Sequence, residues 1–308
     1  MARSTALIGV DWGTTSARAY RLDGDGAVLE TRAAPLGIQQ VRDHFGEALA
    51  TLLGDWRDES VPRLACGMIG SRQGWIEAPY VECPVGEAAL VRGIVETPDR
   101  ALKIVPGLVD RDDEGVPDVM RGEETQIVGA VARGGSATLA VLPGTHGKWA
   151  IVRDGTIETF VTYMTGEVYA VLREHSILGR MVGAGSAAFA AESFARGVRA
   201  ALTRQRGADT LLHRLFGART LALRAELASE DTGDYLSGLL IGSEVAAGRE
   251  WARGHGLPAA SVLLVGSPAL CARYAAALHE AGIAAEHGPD DAAARGLWRI
   301  AQAADLVD

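Results

Sequence analysis

The chain contains 308 residues, of which 48% are hydrophobic and 22% are charged, and its formal net charge is −9 at pH 7. This length allows two domains with separate cores. The acidic balance argues against nucleic acid and membranes as partners, because nucleic acid and anionic membranes are bound by clustered Lys and Arg. Cys66, Cys83 and Cys271 lack the spacing of a zinc site or a disulfide framework. From the sequence we expect no signal peptide, and we expect no membrane-spanning run of about 20 apolar residues. We therefore predict a cytoplasmic protein.

The periodicity of apolar residues predicts alternating strands and helices, which is typical of the α/β class. The run over 183–188 only superficially resembles a dinucleotide-binding fingerprint, because no buried strand precedes it, and we predict a loop there. After an initial β-meander the predicted elements are a helix over 43–56, a strand over 61–68, a helix over 87–95, a strand over 101–106, a loop over 115–120, a helix over 123–132, strands over 138–142 and 159–164, helices over 188–195, 209–216, 221–228 and 235–245, a strand over 261–265 and a helix over 292–304.

The first chemically distinctive segment is a predicted β-hairpin over 8–20. Its tip contains Gly13, which allows close approach of the backbone to a ligand, followed by the hydroxyl side chains of Thr14, Thr15 and Ser16. Asp11 precedes the tip and could hold a hydrated Mg²⁺. Neutral donors next to one carboxylate suit a nucleotide polyphosphate, although an ordinary hairpin in which Asp11 caps the turn explains the same pattern.

A second hairpin over 141–152 repeats the strand, the Gly-Thr tip and the alternating strand. Gly144 and Thr145 correspond to Gly13 and Thr14, and His146 and Lys148 add polar side chains at this tip, which we predict to contact phosphate oxygens. Leu142 occupies the position of Asp11, so the second hairpin offers no metal ligand.

Two similar meanders opening two halves of similar length predict a duplicated domain, with phosphate-binding loops facing a cleft between the copies. Gly134 and Gly135 interrupt the pattern, so we predict an N-terminal domain over 1–134 and a C-terminal domain over 135–308. The closing helix over 292–304 could cross back to the first domain.

The loop from Gly67 to Trp75 combines three glycines with polar and aromatic side chains. Glycines bring backbone close to a ligand, and Ser71, Arg72 and Gln73 supply donors that match hydroxyl and carboxylate groups. The alternative is a glycine-rich surface turn with a salt-bridged arginine. We predict a substrate-binding loop, because Trp75 lies in the same segment.

Arg121, Glu123 and Glu124 surround the predicted start of the helix over 123–132. A carboxylate in the first turn of a helix stabilises the helix dipole, which explains one glutamate without any function. Two glutamates following an arginine are more typical of a site. Glu167, after Thr165 at the predicted start of another helix, is a further candidate carboxylate.

Duplicated halves that open on such hairpins resemble the superfamily of actin, sugar kinases and heat-shock chaperones. Within it, the chain resembles the 2-dehydro-3-deoxygalactonokinase family, and the matching segments run from the N-terminus to beyond the middle. The segments that carry the resemblance are Asp11–Ser16, Gly67–Trp75, Met120–Gln126, Pro143–Trp149, Met164–Glu167 and Leu264–Pro268.

The resemblance implies two duplicated ribonuclease H-like (actin-like ATPase) domains with the nucleotide in the cleft. It implies an ATP- and Mg²⁺-dependent kinase that phosphorylates the terminal 6-hydroxyl of 2-dehydro-3-deoxy-D-galactonate, a small sugar acid, in galactonate catabolism. It further implies that adenosine lies against a helix and a turn at Gly242, Gly266 and Ser267, although helix packing and helix capping explain these residues nearly as well. A homodimer remains open.

The sequence does not decide which residue is the catalytic base or which cationic side chain binds the substrate. Because Leu142 removes a carboxylate from the second hairpin, Glu124 is the first candidate for the base, followed by Glu123 and Glu167. Two alternative functions are a phosphohydrolase of the exopolyphosphatase kind, in which Glu124 orients water, and an ATP-driven filament or chaperone subunit. A kinase acting on a related keto-deoxy sugar acid is a third. The cations that could hold the substrate carboxylate or the transferring phosphoryl group are Arg72, Arg121 and Lys148.

Overall fold

The computed structural model describes residues 4–182, 188–203 and 211–308. Most of the predicted loop over 183–188, and the first two residues of the predicted helix over 209–216, lie outside these ranges. The chain divides into two compact units. Unit 1 comprises Met1–Thr138, Val152–Phe160 and Gly288–Asp308, and unit 2 comprises Leu139–Ile151 and Val161–His287.

The strands form a six-stranded, a five-stranded and a three-stranded sheet within the described residues, of orders β3-β2-β1-β4-β7-β6, β12-β11-β10-β13-β14 and β5-β8-β9. In chain order they are β1 Thr5–Trp12, β2 Ala17–Asp23, β3 Val28–Ala34, β4 Arg63–Cys66, β5 Tyr80–Glu82, β6 Val95–Glu96, β7 Lys103–Ile104, β8 Gly107–Arg111, β9 Pro117–Met120, β10 Thr138–Leu142, β11 Gly147–Arg153, β12 Thr156–Tyr163, β13 Ser261–Leu264 and β14 Ala284–His287.

Helices alternate with these strands, which confirms the mixed α/β class. They are α1 Ile38–Val41, α2 Phe45–Leu53, α3 Glu87–Arg92, α4 Glu123–Ala130, α5 Thr165–His175, α6 Ala191–Leu202, α7 Leu211–Leu223, α8 Thr232–Gly254, α9 Pro268–Glu280 and α10 Ala292–Ala303. None of those in the described part of the chain has both the length and the apolar character needed to cross a bilayer.

Two predicted elements are wrong. The segment over 115–120 was expected to be a loop, but β9 pairs antiparallel with β8, so its extended form depends on a partner strand that local sequence does not reveal. The separate helix expected over 221–228 is absent from the described chain. α7 ends at Leu223, and Ala225 has a φ of +58°, which a right-handed helix does not allow.

The six-stranded sheet of unit 1 begins with the antiparallel meander β1–β3, and β4 then pairs parallel with β1. One face of this sheet carries a core in which Trp12 and Trp56 are fully buried and α2 contributes Leu49 and Leu52. Leu297 of α10 lies against Gly9, where a Cβ would approach its Cδ1 to 3.0 Å. Because β1 and β4 are parallel, their carboxyl ends lie at the same edge of the sheet.

The C-terminal helix α10 fixes α4 within unit 1. A Cβ on Gly129 would collide with Ala292 O, and a Cβ on Gly296 would collide with Thr125 O, so the two helices touch along their backbones. Arg299 of α10 donates from Nη1 to Val131 O at 2.6 Å just beyond the end of α4. This contact matters for the site, because α4 begins with the two predicted catalytic glutamates.

In unit 2, helices α6, α8 and α9 contribute to a core with strands of the five-stranded sheet. Helices α6 and α8 pack at backbone contact, because a Cβ on Gly238 would collide with Phe194 O and one on Gly242 would lie 2.9 Å from Val198 Cα. The small residues of α8 thus serve helix packing.

Candidate active site

The first hairpin tip is braced from behind by α1. Gly13 N–H donates to Ser16 O at 2.9 Å and closes the turn between β1 and β2. The N–H groups of Ile38 and Gln39 donate to Gly13 O and Thr14 O at 3.1 and 3.2 Å. Thr15 and Ser16 are exposed, so their hydroxyl groups can reach a ligand.

Three backbone segments meet beside Asp11 at the end of β1. Gly67 follows β4 with a φ of +93°, and a Cβ there would lie 2.7 Å from Trp12 O and 3.4 Å from Asp11 Oδ1. Gly122, with a φ of +105°, precedes α4 and would place a Cβ 3.1 Å from Gly67 Cα. Only glycine tolerates both the backbone angle and the crowding. The two glycines bring α4 to the end of β1.

Asp11 is a carboxylate whose surroundings disfavour its charged form. Burial raises its pKa to about 6; the positive charge of Arg18 opposes the shift, while the negative charge of Glu123 adds to it. Cys66 Sγ lies 3.9 Å from Asp11 Oδ1 and contributes a weak hydrogen bond. A bound cation would relieve this charge.

The first turn of α4 holds two carboxylates in different surroundings. Glu124 is 0% exposed, and its oxygens accept hydrogen bonds from Gly122 N–H at 2.6 Å and from the Thr125 hydroxyl at 2.9 Å. Glu123 is half-buried and accepts from Arg121 N–H at 3.0 Å. Burial, and secondarily the charge of Glu123, raise the pKa of Glu124 to about 7.

Because of this pKa shift, the ionisation of Glu124 makes the free energy of unfolding depend on pH. Its pKa rises from an ordinary value of 4.5 to about 7 on folding, so its contribution to stability is complete below pH 4.5 and is lost as the pH rises through about 7. The loss amounts to on the order of 3 kcal/mol. Glu124→Gln cannot ionise and should therefore flatten the dependence of unfolding free energy on pH between about pH 5 and pH 8. Denaturant titrations at both ends of the range would measure this, and parallel profiles for wild type and variant would contradict it.

A magnesium ion fits this part of unit 1 in its chemistry. Among the described residues, no group of three or more His, Cys, Asp or Glu side chains is arranged to hold a metal ion. Mg²⁺, however, commonly keeps several waters and uses one or two protein carboxylates together with substrate phosphates. Asp11 can supply such a carboxylate, and the charge of Glu123 interacts with it.

Arg121 is a buried cation with unused hydrogen-bonding capacity. It is 8% exposed, its Nη2 donates to Ala78 O at 2.8 Å, and the Tyr80 ring centre lies 4.2 Å from its Cζ. Among the described residues, neither Nε nor Nη1 has a hydrogen-bond partner, and the buried Ser71 Oγ also lacks one. Nη1 points at Gly70, where a Cβ would approach it to 3.0 Å. Buried donors of this kind call for a ligand or ordered water.

The other predicted substrate residues lie in the loop from Gly67 to Trp75, which also contains Ser71, and they differ in exposure. Arg72 and Gln73 are exposed. Trp75 stacks on Phe45 with ring centres 6.2 Å apart and packs against the core of unit 1, which gives it a packing role.

Unit 2 contains a cavity of about 360 Å³ beside the second hairpin. Gly144 and Thr145 line it from the hairpin, and Thr165 and Gly166 line it from the start of α5. A Cβ on Gly166 would lie 2.8 Å from Thr145 Cα, so the helix start rests on the hairpin tip. The remaining lining comes from α5, α8 and α9 and includes Tyr169, Arg173, Ser237, Leu240, Ile241, Leu270, Arg273 and Tyr274.

The polar residues of the second hairpin do not all face solvent. His146 is exposed and its Nε2 lies 2.5 Å from Glu167 Oε2. Lys148, in contrast, is 4% exposed, and its Nζ donates to His146 O at 3.1 Å. Lys148 therefore braces the hairpin in this structure.

The three residues predicted to flank adenosine differ in position. Gly242 faces α6, where a Cβ would lie 2.9 Å from Ala201 Cβ, and it is not part of the cavity lining. The packing alternative raised from sequence therefore accounts for Gly242. Gly266 and Ser267 are exposed and precede α9, which lines the cavity with three of its residues.

Sequence reasoning missed the cavity residues Arg173 and Arg273, because they lie far apart in sequence and in no local motif. Arg273 donates to Asp234 Oδ1 at 2.7 Å and its Cζ lies 4.4 Å from the ring centre of Phe189. Glu244 was also missed, although an acidic residue within an apolar stretch of α8 is a recognisable signal.

The sheets, the helices that cover them and the carboxylates at the strand ends define a mixed α/β protein with features of a nucleotide-dependent enzyme. The activator of the 2-hydroxyisocaproyl-CoA dehydratase from Clostridium difficile, solved with bound ADPNP, has a similar fold. It is 11% identical with a TM-score of 0.52, over 98% of this chain and 96% of that one.

The model of the 2-keto-3-deoxy-galactonokinase family matches residues 11–300, and the chain belongs to this family. It is 37% identical over 280 residues to the 2-dehydro-3-deoxygalactonokinase of Escherichia coli (strain K12), covering 89% of this chain and 90% of that protein. A crystal structure of a candidate 2-dehydro-3-deoxygalactonokinase from Sinorhizobium meliloti is similar with a TM-score of 0.84 and 37% identity, covering 96% of each chain. The family expected from the sequence is thus confirmed.

Proposed function

We propose that the protein transfers the γ-phosphoryl group of ATP to the 6-hydroxyl group of 2-dehydro-3-deoxy-D-galactonate in galactonate catabolism. The observation that carries the proposal is the meeting of Asp11, Glu123 and Glu124 at the end of β1, in a member of this kinase family. Phosphoryl transfer depends mainly on positioning and charge stabilisation, which such a cluster can supply. We also propose a cytoplasmic location, where thiols such as those of Cys66 and Cys83 stay reduced.

The assay is ADP release measured against a panel of keto-deoxy sugar acids, with polyphosphate and an acceptor-free reaction as controls. We expect 2-dehydro-3-deoxy-D-galactonate to give the highest kcat/KM. ADP release that no sugar acid stimulates would favour a phosphohydrolase, and a preference for another keto-deoxy acid would change the substrate while keeping the kinase.

The shared order of the two sheets supports the finer assignment of two duplicated ribonuclease H-like domains. In each sheet three consecutive strands lie side by side, and the next strand of the sheet pairs parallel with the first of the three. We assign nucleotide phosphates to the tip residues Gly13 to Ser16 in unit 1 and Gly144 to His146 in unit 2. The cavity of unit 2 is large enough for a nucleoside, and we assign adenosine to it, with Gly266 and Ser267 at its edge.

Asp11 is the proposed Mg²⁺ ligand, with Glu123 nearby. The ion, when bound, neutralises charge on the β- and γ-phosphates. Asp11→Asn should reduce Mg²⁺-dependent turnover at least about 10²-fold, because a metal ion contributes several kcal/mol to catalysis. Because the pKa of Asp11 is about 6, protons should compete with Mg²⁺ below that pH.

Titrations of activity with Mg²⁺ at several pH values test this competition. In the wild type the half-saturating Mg²⁺ concentration should rise as the pH falls through 6. A pH-independent half-saturation, or turnover in Asp11→Asn equal to the wild type, would remove Asp11 from the metal site.

Burial changes the order in which we consider the two glutamates of α4. A general base must lie within hydrogen-bond reach of the proton that it accepts. Glu124 is fully buried and both of its oxygens are engaged, whereas Glu123 is half-buried and electrostatically coupled to Asp11. We therefore propose Glu123 as the group that orients the acceptor hydroxyl, and Glu124 as a buried carboxyl that holds the turn before α4.

Arg121 is the proposed anchor for the substrate carboxylate. The geometry supporting this role is the pair of unpartnered nitrogens, Nε and Nη1, beside the unpartnered Ser71 hydroxyl among the described residues. A guanidinium binds a carboxylate through charge-assisted hydrogen bonds, and Nε and Nη1 each have a donor to offer. Arg72 and Gln73, exposed in the loop that contains Ser71, are assigned to substrate hydroxyl groups.

A further inference from the structure

Glu244 is a buried carboxylate for which the proposed reaction has no use. It lies in α8 and is 3% exposed. Taking a carboxylate out of water is strongly unfavourable unless hydrogen bonds or an opposite charge compensate it. Its presence inside unit 2 therefore needs a structural or functional reason.

The compensation comes from segments that surround the cavity. Oε1 accepts a hydrogen bond from Trp149 Nε1 of β11 at 2.9 Å, and Oε2 accepts one from the Tyr274 hydroxyl of α9 at 2.6 Å. Thr165, at the start of α5, also donates to Glu244, and the positive charge of Lys148 acts on it. Burial raises the pKa of Glu244, and these interactions oppose that shift.

The carboxylate also packs against the second hairpin. A Cβ on Gly147, the first residue of β11, would approach Glu244 Oε1 to 2.9 Å, so the strand passes directly over the carboxylate. Gly144 and Thr145, at the tip just before β11, line the cavity, as do Thr165 and Tyr274. The buried side chain of Glu244 thus contacts the second hairpin, α5 and α9.

We propose that Glu244 is a positioning residue for the nucleotide site of unit 2. It holds the Tyr274 and Thr165 side chains at the cavity wall, and through Trp149 it fixes the strand that follows the hairpin tip. This inference rests on the proposed assignment of the cavity to the nucleotide. It concerns the binding of ATP and leaves the acceptor site in unit 1 unaffected.

The test compares Glu244→Gln with Glu250→Gln, a matched substitution on the same helix. Glu250 is exposed and forms a salt bridge with Arg253 at 3.2 Å. In Glu244→Gln the amide cannot accept from all three donors, so the Kd for ATP measured by calorimetry should rise about tenfold or more. The KM for the sugar acid at saturating ATP should change less than about twofold, because Glu244 interacts with Trp149, Tyr274 and Thr165, none of which is proposed to bind the sugar acid. Glu250→Gln should leave both values unchanged.

Tyr274→Phe provides a second variant in case Glu244→Gln does not fold. It removes one donor to Glu244 and should weaken ATP binding in the same direction, by a smaller factor. Where both variants fold, the double variant should bind ATP no more weakly than Glu244→Gln alone, because Tyr274→Phe acts through its hydrogen bond to Glu244, which Glu244→Gln already disturbs. An unchanged Kd for ATP in either folded single variant, or an equal rise in the KM for the sugar acid, would overturn the proposal.

Calorimetry needs no acceptor, so it separates this inference from the proposed reaction. If no sugar acid stimulates ADP release but Glu244→Gln still weakens ATP binding selectively, the substrate is wrong and the positioning role stands. If the wild type binds no ATP, both proposals are overturned.

Discussion

Glu123→Gln is expected to lower kcat by roughly 10²–10⁴, the usual contribution of a positioned acid or base, and to leave the melting temperature nearly unchanged. The amide keeps the size of the side chain and can still accept from Arg121 N–H, as Glu123 does at 3.0 Å. It loses the charge that orients or deprotonates the acceptor hydroxyl. Rapid-quench measurement of a single turnover, together with thermal melting of the same preparation, isolates the chemical step from product release.

Glu124→Gln is the matched control on the next residue. Its carboxylate is fully buried and bonded to Gly122 and Thr125, so this substitution should act mainly on the stability of the turn before α4 and on its pH dependence. If Glu124→Gln abolishes the chemical step while Glu123→Gln retains it, the roles that we propose are reversed. If both variants turn over normally, neither glutamate is the base and Glu167 becomes the next candidate.

The fold could be predicted to the extent that local pattern determines it. The hairpin tips at Gly13 and Gly144 and the alternating residues that follow them revealed two meanders, and the structure has both at the start of sheets with matching order. β9 could not be predicted, because its four residues are extended through pairing with β8. The helix predicted over 235–245 is present as part of α8, but only the structure shows that Gly242 within it contacts α6.

The candidate site could be predicted by residue type more readily than by burial. Sequence grouped Asp11 with the acidic start of α4 only through the family resemblance, whereas the structure connects them through the contact of Gly67 with Gly122. No pattern distinguishes the buried Glu124 from its half-buried neighbour, because their exposure depends on how α4 is seated. Lys148 was predicted as a catalytic cation at the second hairpin tip that could hold the transferring phosphoryl group, yet its amine is buried and donates to the hairpin backbone. Its catalytic role stays a prediction.

Arg121→Lys is expected to raise the KM for the sugar acid by about 10²-fold and to change the Kd for ATP little. A charge-assisted hydrogen bond contributes about 1.5–3 kcal/mol, and a lysine ammonium group cannot occupy the positions of both Nε and Nη1. Nε and Nη1, which lack partners among the described residues, would each lose a ligand oxygen. Steady-state kinetics with varied acceptor, and calorimetry with ATP, give the two values.

Arg72→Lys and an acceptor analogue without the carboxylate complete the test. Arg72 is exposed in the loop that contains Ser71, so its replacement should raise the acceptor KM much less than the replacement of the buried Arg121. If Arg121 binds the carboxylate, the wild type and Arg121→Lys should use the uncharged analogue equally poorly. The interaction between Arg121 and the carboxylate is missing in both reactions. Ser71→Ala should give a smaller rise in KM, since it removes one neutral donor. A variant Arg121→Lys that still prefers the acid over the uncharged analogue as strongly as the wild type would exclude Arg121 as the anchor and transfer the role to Arg72.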